Sequence, residues 1–456
     1  MIYLIGWRDQ KESNLVDHNF WNKEIECASL AATKKLHDDK LKKQLAYVCA
    51  SSKFYQQKFA AHGVDALKIS GTEDLQMLPF TEKSELRESQ SRIPPFGEHV
   101  ACNTEDVRRV YSTSGTTGRP TYIGLTKADI ATWRETASRV FWANGLRTSD
   151  RIPLVVSPFV VAASYADAFE DIGTCIPIGV NMTDRLIDAF RFAGATALLC
   201  TASYPLHFAR SLAERSIDPK SLGLNLILAG GEPGASIPEV RRQIENAFNC
   251  RVMECSGNGD YGAMVWGECE HRQGMHFLGQ GIIHPEIIDP DTGVSLPIET
   301  GTKGELVCTS LDRECIPLIR FRTRDNVEVT HTECKCGRTG FGIRIIGRTD
   351  DLLIVRGVNV YPAAIRDVIA SFAPELNGVM EIQMEQAPPL GWEPPIHIKV
   401  ELSAHVEKDE NLKQKIEFKL REKLIFRANI ELVLEGTLPR YEYKAKLVRE
   451  LYKEKP

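Results

Sequence analysis

The run YSTSGTTGRP, residues 111–120, is the stretch of the sequence that bears most directly on fold and function. It carries five small hydroxyl side chains and two glycines, follows the strand-like run VRRVYS, and precedes the helix-like run KADIATWRETASRVF. Backbone N–H groups in such a loop can turn toward an anion and the hydroxyls add donors, so the pattern suits a polyphosphate. The GxxxxGK[ST] spacing of the common phosphate loop is absent. From this run alone, an ordinary surface turn is an equal alternative.

The composition is that of an ordinary globular protein. Of 456 residues, 43% are hydrophobic and 26% are charged, and the net charge is −5. A nucleic-acid or membrane surface would need a basic patch, so neither partner is predicted. No apolar run approaches the roughly 20 residues that span a bilayer, and the N-terminus lacks a signal-peptide pattern. The predicted location is cytoplasmic, where the 12 cysteines should be mostly reduced.

The hydrophobic pattern changes twice along the chain. Residues 12–95 have helical periodicity, whereas from about residue 106 short β-rich runs such as RIPLVVSP, TALLCT and LNLILAGG alternate with helical runs. This alternation predicts an α/β fold with doubly wound, mostly parallel sheets. The predicted domains are a large N-terminal domain, 1–347, whose residues 1–100 form a mostly helical lead-in, and a small α+β C-terminal domain, 348–456, joined by a hinge.

The loop and four later segments resemble, in order, the motifs of the adenylate-forming enzymes, which include acyl-CoA ligases, luciferases and adenylation domains. The later segments are LAGGEPG (228–234), LIRFRTRDNVEV (318–329), GRTDDLLIVRGVNVYP (347–362) and LPRYEYKAKLV (438–448). The hinge segment, PEIIDPDTG and the LPR…KAK ending are most similar to the phenylacetate–CoA ligase family. The resemblance covers roughly residues 105–450.

This resemblance implies an AMP-forming acid–thiol ligase. A carboxylate attacks the α-phosphate of ATP to give an acyl adenylate and pyrophosphate, and coenzyme A then displaces AMP. The approach of two anions requires positive charge, Mg²⁺ and oriented N–H donors. Two alternatives stay open: an adenylating enzyme that passes the acyl group to an amine or to a carrier protein in trans, and a weakened nucleotide- or ligand-binding regulator. The family also implies a homodimer.

The resemblance assigns roles to individual residues. The phosphate loop contributes Ser112, Thr113, Gly115, Thr116, Thr117 and Gly118, and the adenine turn contributes Gly231, Glu232 and Pro233. Asp325 and Arg348 are expected at the ribose, and Lys444 at the α-phosphate. Asp350 falls at the hinge, and Arg356 and Gly357 face the pantetheine arm in the implied thioester-forming state. For the charged residues among these, the alternatives are a turn residue, a surface ion pair or a solvated cation.

The sequence departs from the family pattern in ECSGNGDYGAM, residues 254–264. Ser256 stands where the family usually has a tyrosine against adenine, and Asp260 stands where it has a magnesium-binding glutamate. Tyr261 could replace the aromatic ring from a shifted register. This departure puts nucleotide affinity or selectivity in doubt.

Cysteines and histidines form a candidate zinc site. The ECKCG segment contains Cys334 and Cys336, and GECEHRQGMHF contains Cys269 and His276. Three cysteines and one histidine are a common structural zinc set. The GMH pattern associated with some phenylacetate–CoA ligase relatives favours His276 over His271, and His331 is a weaker candidate. The alternative is free cysteines without metal.

The acid pocket is expected in the segment SPFVVAASYADAFEDIG, residues 157–173. Phe159, Ala163 and Tyr165 are the candidate lining residues, although they would equally suit a core. The small residues leave room for a ring, so an aromatic or aryl-acetic acid is the expected substrate.

Overall fold

The computed structural model describes residues 19–113, 120–180, 182–232, 234–349, 353–355, 358–385, 395–424, 426–439 and 447–454. Nine of the predicted site residues lie outside the described residues: Gly115, Thr116, Thr117, Gly118, Pro233, Asp350, Arg356, Gly357 and Lys444.

The N-terminal lead-in is helical, as its periodicity predicts. It contains α1 (Lys23–Glu26), α2 (Leu30–Ser51), α3 (Lys53–Ala61) and α4 (Lys83–Arg92). The Ser29 side chain caps α2 by accepting from the Ala32 N–H, and Gly63 follows α3 in the left-handed region at φ 64°. Apolar side chains of α2 and α3 form a core that includes Leu311 and Ile319 of the following α/β region. The lead-in therefore packs on the large domain.

The central region alternates strands and helices. Its first part contains β1 (Arg109–Ser112), β2 (Tyr122–Leu125), α5 (Lys127–Ala143), β3 (Arg151–Leu154), α6 (Tyr165–Ile172), β4 (Thr174–Pro177), α7 (Thr183–Arg191), β5 (Ala197–Cys200), α8 (Tyr204–Glu214), β6 (Leu226–Ala229), α9 (Pro238–Phe248) and β7 (Arg251–Asn258). Strands β5, β6 and β7 are parallel neighbours. The carboxyl ends of parallel strands meet at one edge of a sheet, which is where ligands of α/β folds bind.

A long antiparallel section continues the same sheet. It is built from β8 (Gly262–Glu268), β9 (Met275–Phe277), β10 (Ile283–Ile288), β11 (Ser295–Leu296), β12 (Lys303–Ser310), β13 (Phe321–His331) and β14 (Gly342–Arg348). The ten-stranded order is β11-β10-β12-β13-β14-β9-β8-β7-β6-β5. The predicted α/β class is confirmed, but this sheet is less parallel than expected. The reason is local: strands from β8 onward are joined without crossover helices, so neighbours run antiparallel.

The C-terminal region has its own sheet and core. It contains β15 (Leu353–Val355), β16 (Val358–Val360), α10 (Pro362–Ala370), β17 (Leu376–Met384), β18 (Ile396–Leu402), α11 (Glu410–Leu424), β19 (Ala428–Val433), β20 (Val448–Glu450) and α12 (Leu451–Glu454). The four-stranded order is β19-β18-β17-β20. One apolar cluster joins this sheet to α10 and α11, which supports the predicted small α+β domain. Among the described helices, none combines the length and apolarity needed to cross a bilayer.

Candidate active site

The two ends of the phosphate loop are tied together by β1 and β2. Thr113 N–H donates to the Thr121 carbonyl at 3.0 Å, and Thr121 N–H donates to the Thr113 hydroxyl at 3.1 Å. Ser112 is 6% exposed, and its hydroxyl donates to the Phe159 carbonyl at 3.3 Å. The Ser112 and Thr113 side chains thus anchor the base of the loop.

Asp260 forms a buried polar centre beside this loop. Its carboxylate accepts from Lys83 Nζ at 2.7 Å and from the Thr121 hydroxyl at 3.2 Å, and its side chain is fully enclosed. Lys83 is the first residue of α4, and 28% of its side chain is exposed. The lead-in therefore supplies a cation to the site, a contribution that the sequence motifs do not reveal.

Asp325 and Arg348 lie opposite each other on β13 and β14. Arg348 Nη1 donates to Asp325 Oδ1 at 2.7 Å, and both side chains keep some exposure. The predicted ribose pair is thus held as one ion pair at a sheet position. The neighbouring Arg324 pairs with Glu82 of the lead-in at 2.6 Å. Glu82 and Lys83 consequently connect α4 to both polar centres.

The adenine turn follows the carboxyl end of β6. Gly231 adopts φ 83°, a left-handed conformation that favours glycine. The Glu232 carboxylate accepts from the Ser203 N–H at 2.7 Å, which fixes the turn to the start of α8. Ser256 lies half-buried on β7, and Tyr261 is 4% exposed and packs in the core. Tyr261 therefore does not present an open ring face in place of the missing family tyrosine.

A second buried carboxylate, Glu254, lies on β7 near this turn. Burial, reinforced by the neighbouring Glu268, raises the pKa of Glu254 to about 7. The Glu254 N–H donates to Glu268, which also pairs with Arg241 at 2.7 Å. Arg241 thus neutralises Glu268, whereas Glu254 holds a proton up to neutral pH.

We expect Glu254→Gln to stabilise the protein strongly at pH 8 and only slightly at pH 5. The folded state keeps the Glu254 proton up to about pH 7, whereas the unfolded chain loses it near 4.5, so stability falls as pH rises through that window. The gain in the free energy of unfolding at pH 8 exceeds that at pH 5 by on the order of 2–3 kcal/mol. Urea unfolding at both pH values measures it, with the exposed Glu214→Gln as control. Equal gains at pH 5 and 8 would contradict the assignment.

The predicted acid-pocket residues surround the entry to α6. Phe159 is 51% exposed, and its ring centroid lies 6.2 Å from that of Tyr122. Tyr165 is half-buried, donates its hydroxyl to the Ala263 carbonyl at 2.9 Å and meets Phe141 edge-on. Ala163 packs against a small apolar cluster that Tyr165 also contacts. Tyr165 is thus partly a core residue, while Phe159 is available to a ligand.

The four predicted zinc ligands converge although they are far apart in sequence. Cys269 follows β8, His276 lies on β9, and Cys334 and Cys336 lie in the loop between β13 and β14. Their ligand atoms all lie within 4.8 Å of one another. The Cys269 and Cys334 sulfurs are 3.7 Å apart, and Cys336 Sγ is 3.5 Å from His276 Nε2.

These distances match a tetrahedral zinc site. With Zn–S bonds of about 2.3 Å, two sulfurs are about 3.8 Å apart, and a sulfur and an imidazole nitrogen are about 3.6 Å apart. His276 Nδ1 lies 2.8 Å from the Gly340 carbonyl, which leaves Nε2 directed at the cluster. A hydrogen bond from the Cys269 thiol lowers the pKa of Cys336, so the cluster favours a thiolate. His331 touches His276 from outside, and His271 lies beside Glu270.

Comparison with known proteins identifies the family. The AMP-binding enzyme C-terminal domain matches residues 357–451. A phenylacetate–coenzyme A ligase from Thermus thermophilus is 35% identical over 76% of this chain and 77% of its own length. A ligase of the same name from Pseudomonas putida is 32% identical over 92% of this chain and 94% of its own. The chain belongs to the phenylacetate–coenzyme A ligase family. It is an AMP-forming acid–CoA ligase, which confirms the predicted ATP-dependent activation of an acid and its transfer to CoA.

This ligase is more similar to one solved state of a related enzyme than to another. It superposes on 2-hydroxyisobutyryl-CoA ligase in the postadenylation state, bound to R3-HIB-AMP, with TM-score 0.89, 27% identity and coverage of 98% and 96% of the two chains. The same enzyme in the thioesterification state, bound to 2-HIB-AMP and CoA, gives 0.71 at 28% identity, with 97% and 94% covered. Since the compared enzyme is the same, the difference reflects its conformation. The ligase described here resembles the postadenylation arrangement.

Proposed function

We propose that this ligase converts an aromatic or aryl-acetic acid into its CoA thioester in the cytoplasm. The observation that carries the site assignment is that Asp260, which pairs with Lys83, also accepts a hydrogen bond from Thr121 at the base of the phosphate loop. The predicted ribose residues Asp325 and Arg348 form a second ion pair. The Thr121 hydroxyl lies 3.1 Å from the Thr113 hydroxyl, where the phosphate loop begins.

The charges of this site suit an anionic nucleotide. Residues 112–118 would hold the β- and γ-phosphates, the turn at Gly231 and Ser256 the adenine, and Asp325 with Arg348 the ribose hydroxyls. Asp260 would hold Mg²⁺, because one carboxylate together with substrate phosphates is a usual magnesium environment. Magnesium supplies charge neutralisation of the phosphates. Lys83 neutralises the buried Asp260 carboxylate in the structure.

The proposed acid class follows from the pocket and the relatives. The curated relatives are named for phenylacetate, whereas the solved neighbour acts on a small hydroxy acid. Phe159, Tyr122 and Tyr165 provide aromatic edges and faces beside the phosphate loop, and these favour a ring over a small branched acid.

A panel of acids tests this proposal. Pyrophosphate release is measured with ATP, Mg²⁺, CoA and, in turn, phenylacetate, benzoate, a bicyclic aryl acid, 2-hydroxyisobutyrate and hexanoate. We expect kcat/KM for the best aryl acid to exceed that of the aliphatic acids by at least about tenfold, the contribution of one or two buried ring contacts. A preference for 2-hydroxyisobutyrate would overturn the acid class, and omission of Mg²⁺ should abolish release. A thioester that forms only on a carrier protein would change the acceptor.

The ribose pair gives a second test. Asp325→Asn should raise the KM for ATP about 10- to 100-fold, because the variant loses charge-assisted hydrogen bonds to the two ribose hydroxyls and with them affinity for ATP. The matched control is Glu328→Gln, which removes an ion pair of the same 2.7 Å length from the same two strands, Glu328–Arg344. Initial rates at varied ATP measure both variants. Equal effects would show that the ion pair acts only through strand pairing.

We also propose that the Cys269, His276, Cys334 and Cys336 cluster binds a structural Zn²⁺. The donor set has four ligands, and its distances of 3.7 and 3.5 Å suit a tetrahedral ion, which would leave no open coordination position for catalysis. The metal would fasten the β13–β14 loop to β8 and β9. Because β14 carries Arg348 at its far end, the cluster would help to fix the ribose strand.

The remaining assignments concern motion and assembly. The hinge at Asp350, the CoA contacts of Arg356 and Gly357, and the domain boundary between 347 and 348 are proposed from the family motifs, with rotation of the small domain between half-reactions. An ion pair between Arg210 of α8 and Glu435 of the small domain, at 3.1 Å, would break in that rotation. A homodimer stays a prediction that analytical ultracentrifugation can test.

A further inference from the structure

We propose that this ligase has a second anion site, remote from the nucleotide, that binds a phosphate-type dianion. The site is a cavity of about 160 Å³ whose lining includes Arg147, Arg251 and Arg338. We call it the arginine cavity. Because about 10–15 Å³ of such space suffices for one water molecule, a phosphate group fits with room for solvent.

The guanidinium groups of Arg147 and Arg338 are held in place by the protein, whereas Arg251 is exposed. Arg147 donates to the Trp142 and Leu146 carbonyls at 2.8 and 2.7 Å and stacks on the Trp142 ring at 4.6 Å. Arg338 is 5% exposed, donates to Glu26 at 2.8 Å and lies over the Phe20 ring. A planar guanidinium held in one orientation can donate two parallel hydrogen bonds to a phosphate.

The approach of Arg251 depends on a glycine. Gly145 has φ 106°, and a Cβ at that position would lie 3.1 Å from Arg251 Nη2. The glycine therefore serves both the left-handed turn and the close approach of the guanidinium. This loop follows α5, so the end of that helix and the start of β7 meet at the cavity.

Two of the three arginines that line the cavity lack an ion-pair partner among the described residues. Within the described chain, Arg147 and Arg251 have no ion-pair partner, whereas Arg338 is paired with Glu26. Glu270 also lines the cavity, but its side chain is 70% exposed, so its carboxylate is largely hydrated. Burial and the like charges of Arg251 and Arg338 lower the pKa of Arg147, and a bound dianion would relieve this repulsion.

The arginine cavity is separate from the active site. Arg251 begins β7, whereas Ser256 lies five residues further along the strand, near the carboxyl edge. At roughly 3.3 Å per residue, the two positions are about 16 Å apart. The cavity is also lined by Asn19 of the lead-in and by Cys336 of the cysteine–histidine cluster. A bound anion would therefore link the lead-in, the β13–β14 loop that carries Cys336, and the central sheet.

Thermal unfolding tests the proposal on the full chain with the nucleotide site saturated by a non-hydrolysable ATP analogue. Inorganic phosphate at about 20 mM should raise the midpoint by about 2 °C, as expected for a site of millimolar affinity. Arg251→Gln should abolish this shift while leaving kcat for the ligase reaction within about twofold, because the residue does not touch the active site. Arg427→Gln removes an exposed arginine from the small domain and should keep the shift.

Further arms separate the sources of the anion. If CoA stabilises the protein more than dephospho-CoA, and Arg251→Gln removes the difference, the 3′-phosphate of CoA is the ligand. If phosphate or pyrophosphate alone gives the Arg251-dependent shift, a free ion is the ligand. An equal shift from KCl at matched ionic strength, or an equal phosphate shift in Arg251→Gln and Arg427→Gln, would mean an adventitious ion only and would overturn the proposal. If Arg251→Gln fails to fold, Arg147→Lys replaces it as the test variant. Lysine keeps the charge but lacks the planar guanidinium that donates two parallel hydrogen bonds, so this variant should bind phosphate more weakly.

Discussion

Replacing Lys444 by alanine is expected to slow acyl-adenylate formation by about 10²–10³-fold, the usual effect of losing one oriented charge stabiliser. The family motif assigns Lys444 to the α-phosphate, where negative charge builds up as the acid attacks. Lysine suits this role because it delivers a compact charge on a long stem. Acid-dependent exchange of labelled pyrophosphate into ATP measures the half-reaction directly.

The neighbouring lysine provides the matched control for this prediction. Lys446 lies two residues away in the same KAKL sequence, so Lys446→Ala removes the same charge from the same segment. We expect Lys446→Ala to retain the exchange rate within about threefold, as for a solvated surface charge. In Lys444→Ala, conversion of preformed acyl adenylate to thioester should also be nearly unchanged. Loss of both half-reactions to the same extent would mean that the substitution acts through folding or domain placement.

Measuring the two half-reactions separately is informative because 2-hydroxyisobutyryl-CoA ligase has been solved in a postadenylation and in a thioesterification state. The TM-scores of 0.89 and 0.71 against two states of one neighbour show how much the arrangement changes overall similarity. In the present arrangement the Arg210–Glu435 ion pair ties the small domain to α8, next to the turn that carries Glu232. A residue that serves only one arrangement should affect only one half-reaction, which is the reason to measure both.

The sequence predicted the parts of the site that lie within short motifs. The Asp325–Arg348 pair was predicted from two segments, and the structure shows why they meet: β13 and β14 are neighbours in register. Lys83 was not predicted. It lies 177 residues from its partner Asp260 in the sequence. Its segment begins with a capping box formed by Glu82 and Glu85, as in an ordinary surface helix. No local pattern distinguishes a helix-start lysine in solvent from one that enters an active site.

The sheet shows a similar limit. Strand-like runs separated by helical periodicity predicted β3, β5 and β6, and the parallel pairing of β5 with β6 agrees with the predicted parallel sheet, because a helix lies in their connection. From residue 262 onward, the same strand signal belongs to an antiparallel section, and apolar runs alone do not reveal pairing direction. The cysteine and histidine residues were predicted as a set from their chemistry, although only the antiparallel pairing of β8, β9 and β14 brings them together.

Loss of the cysteine–histidine cluster is expected to have the largest effect on stability. Cys334→Ser should lower the free energy of unfolding by about 5 kcal/mol or more and abolish zinc binding, because structural zinc sites contribute their binding energy to folding. The loop between β13 and β14 would lose its attachment to Cys269, which now lies 3.7 Å from Cys334. Metal content by inductively coupled plasma mass spectrometry and urea unfolding measure the two outcomes, with one zinc per chain expected in the unmodified protein.

Cys49→Ser is the matched control, since Cys49 is a partly exposed thiol of α2 outside the cluster. It should keep one zinc per chain and lose no more than about 1 kcal/mol, as for a single partly buried contact. Chelation of the unmodified protein should reproduce the unfolding of Cys334→Ser, and added Zn²⁺ should reverse it. If the protein contains no zinc, or if chelation leaves the unfolding curve unchanged, the four residues are a thiol–imidazole packing cluster and the metal assignment is wrong. Because β14 extends from this cluster to Arg348, partial chelation should also raise the KM for ATP before the protein unfolds, which connects the metal to the ribose strand rather than to the chemistry.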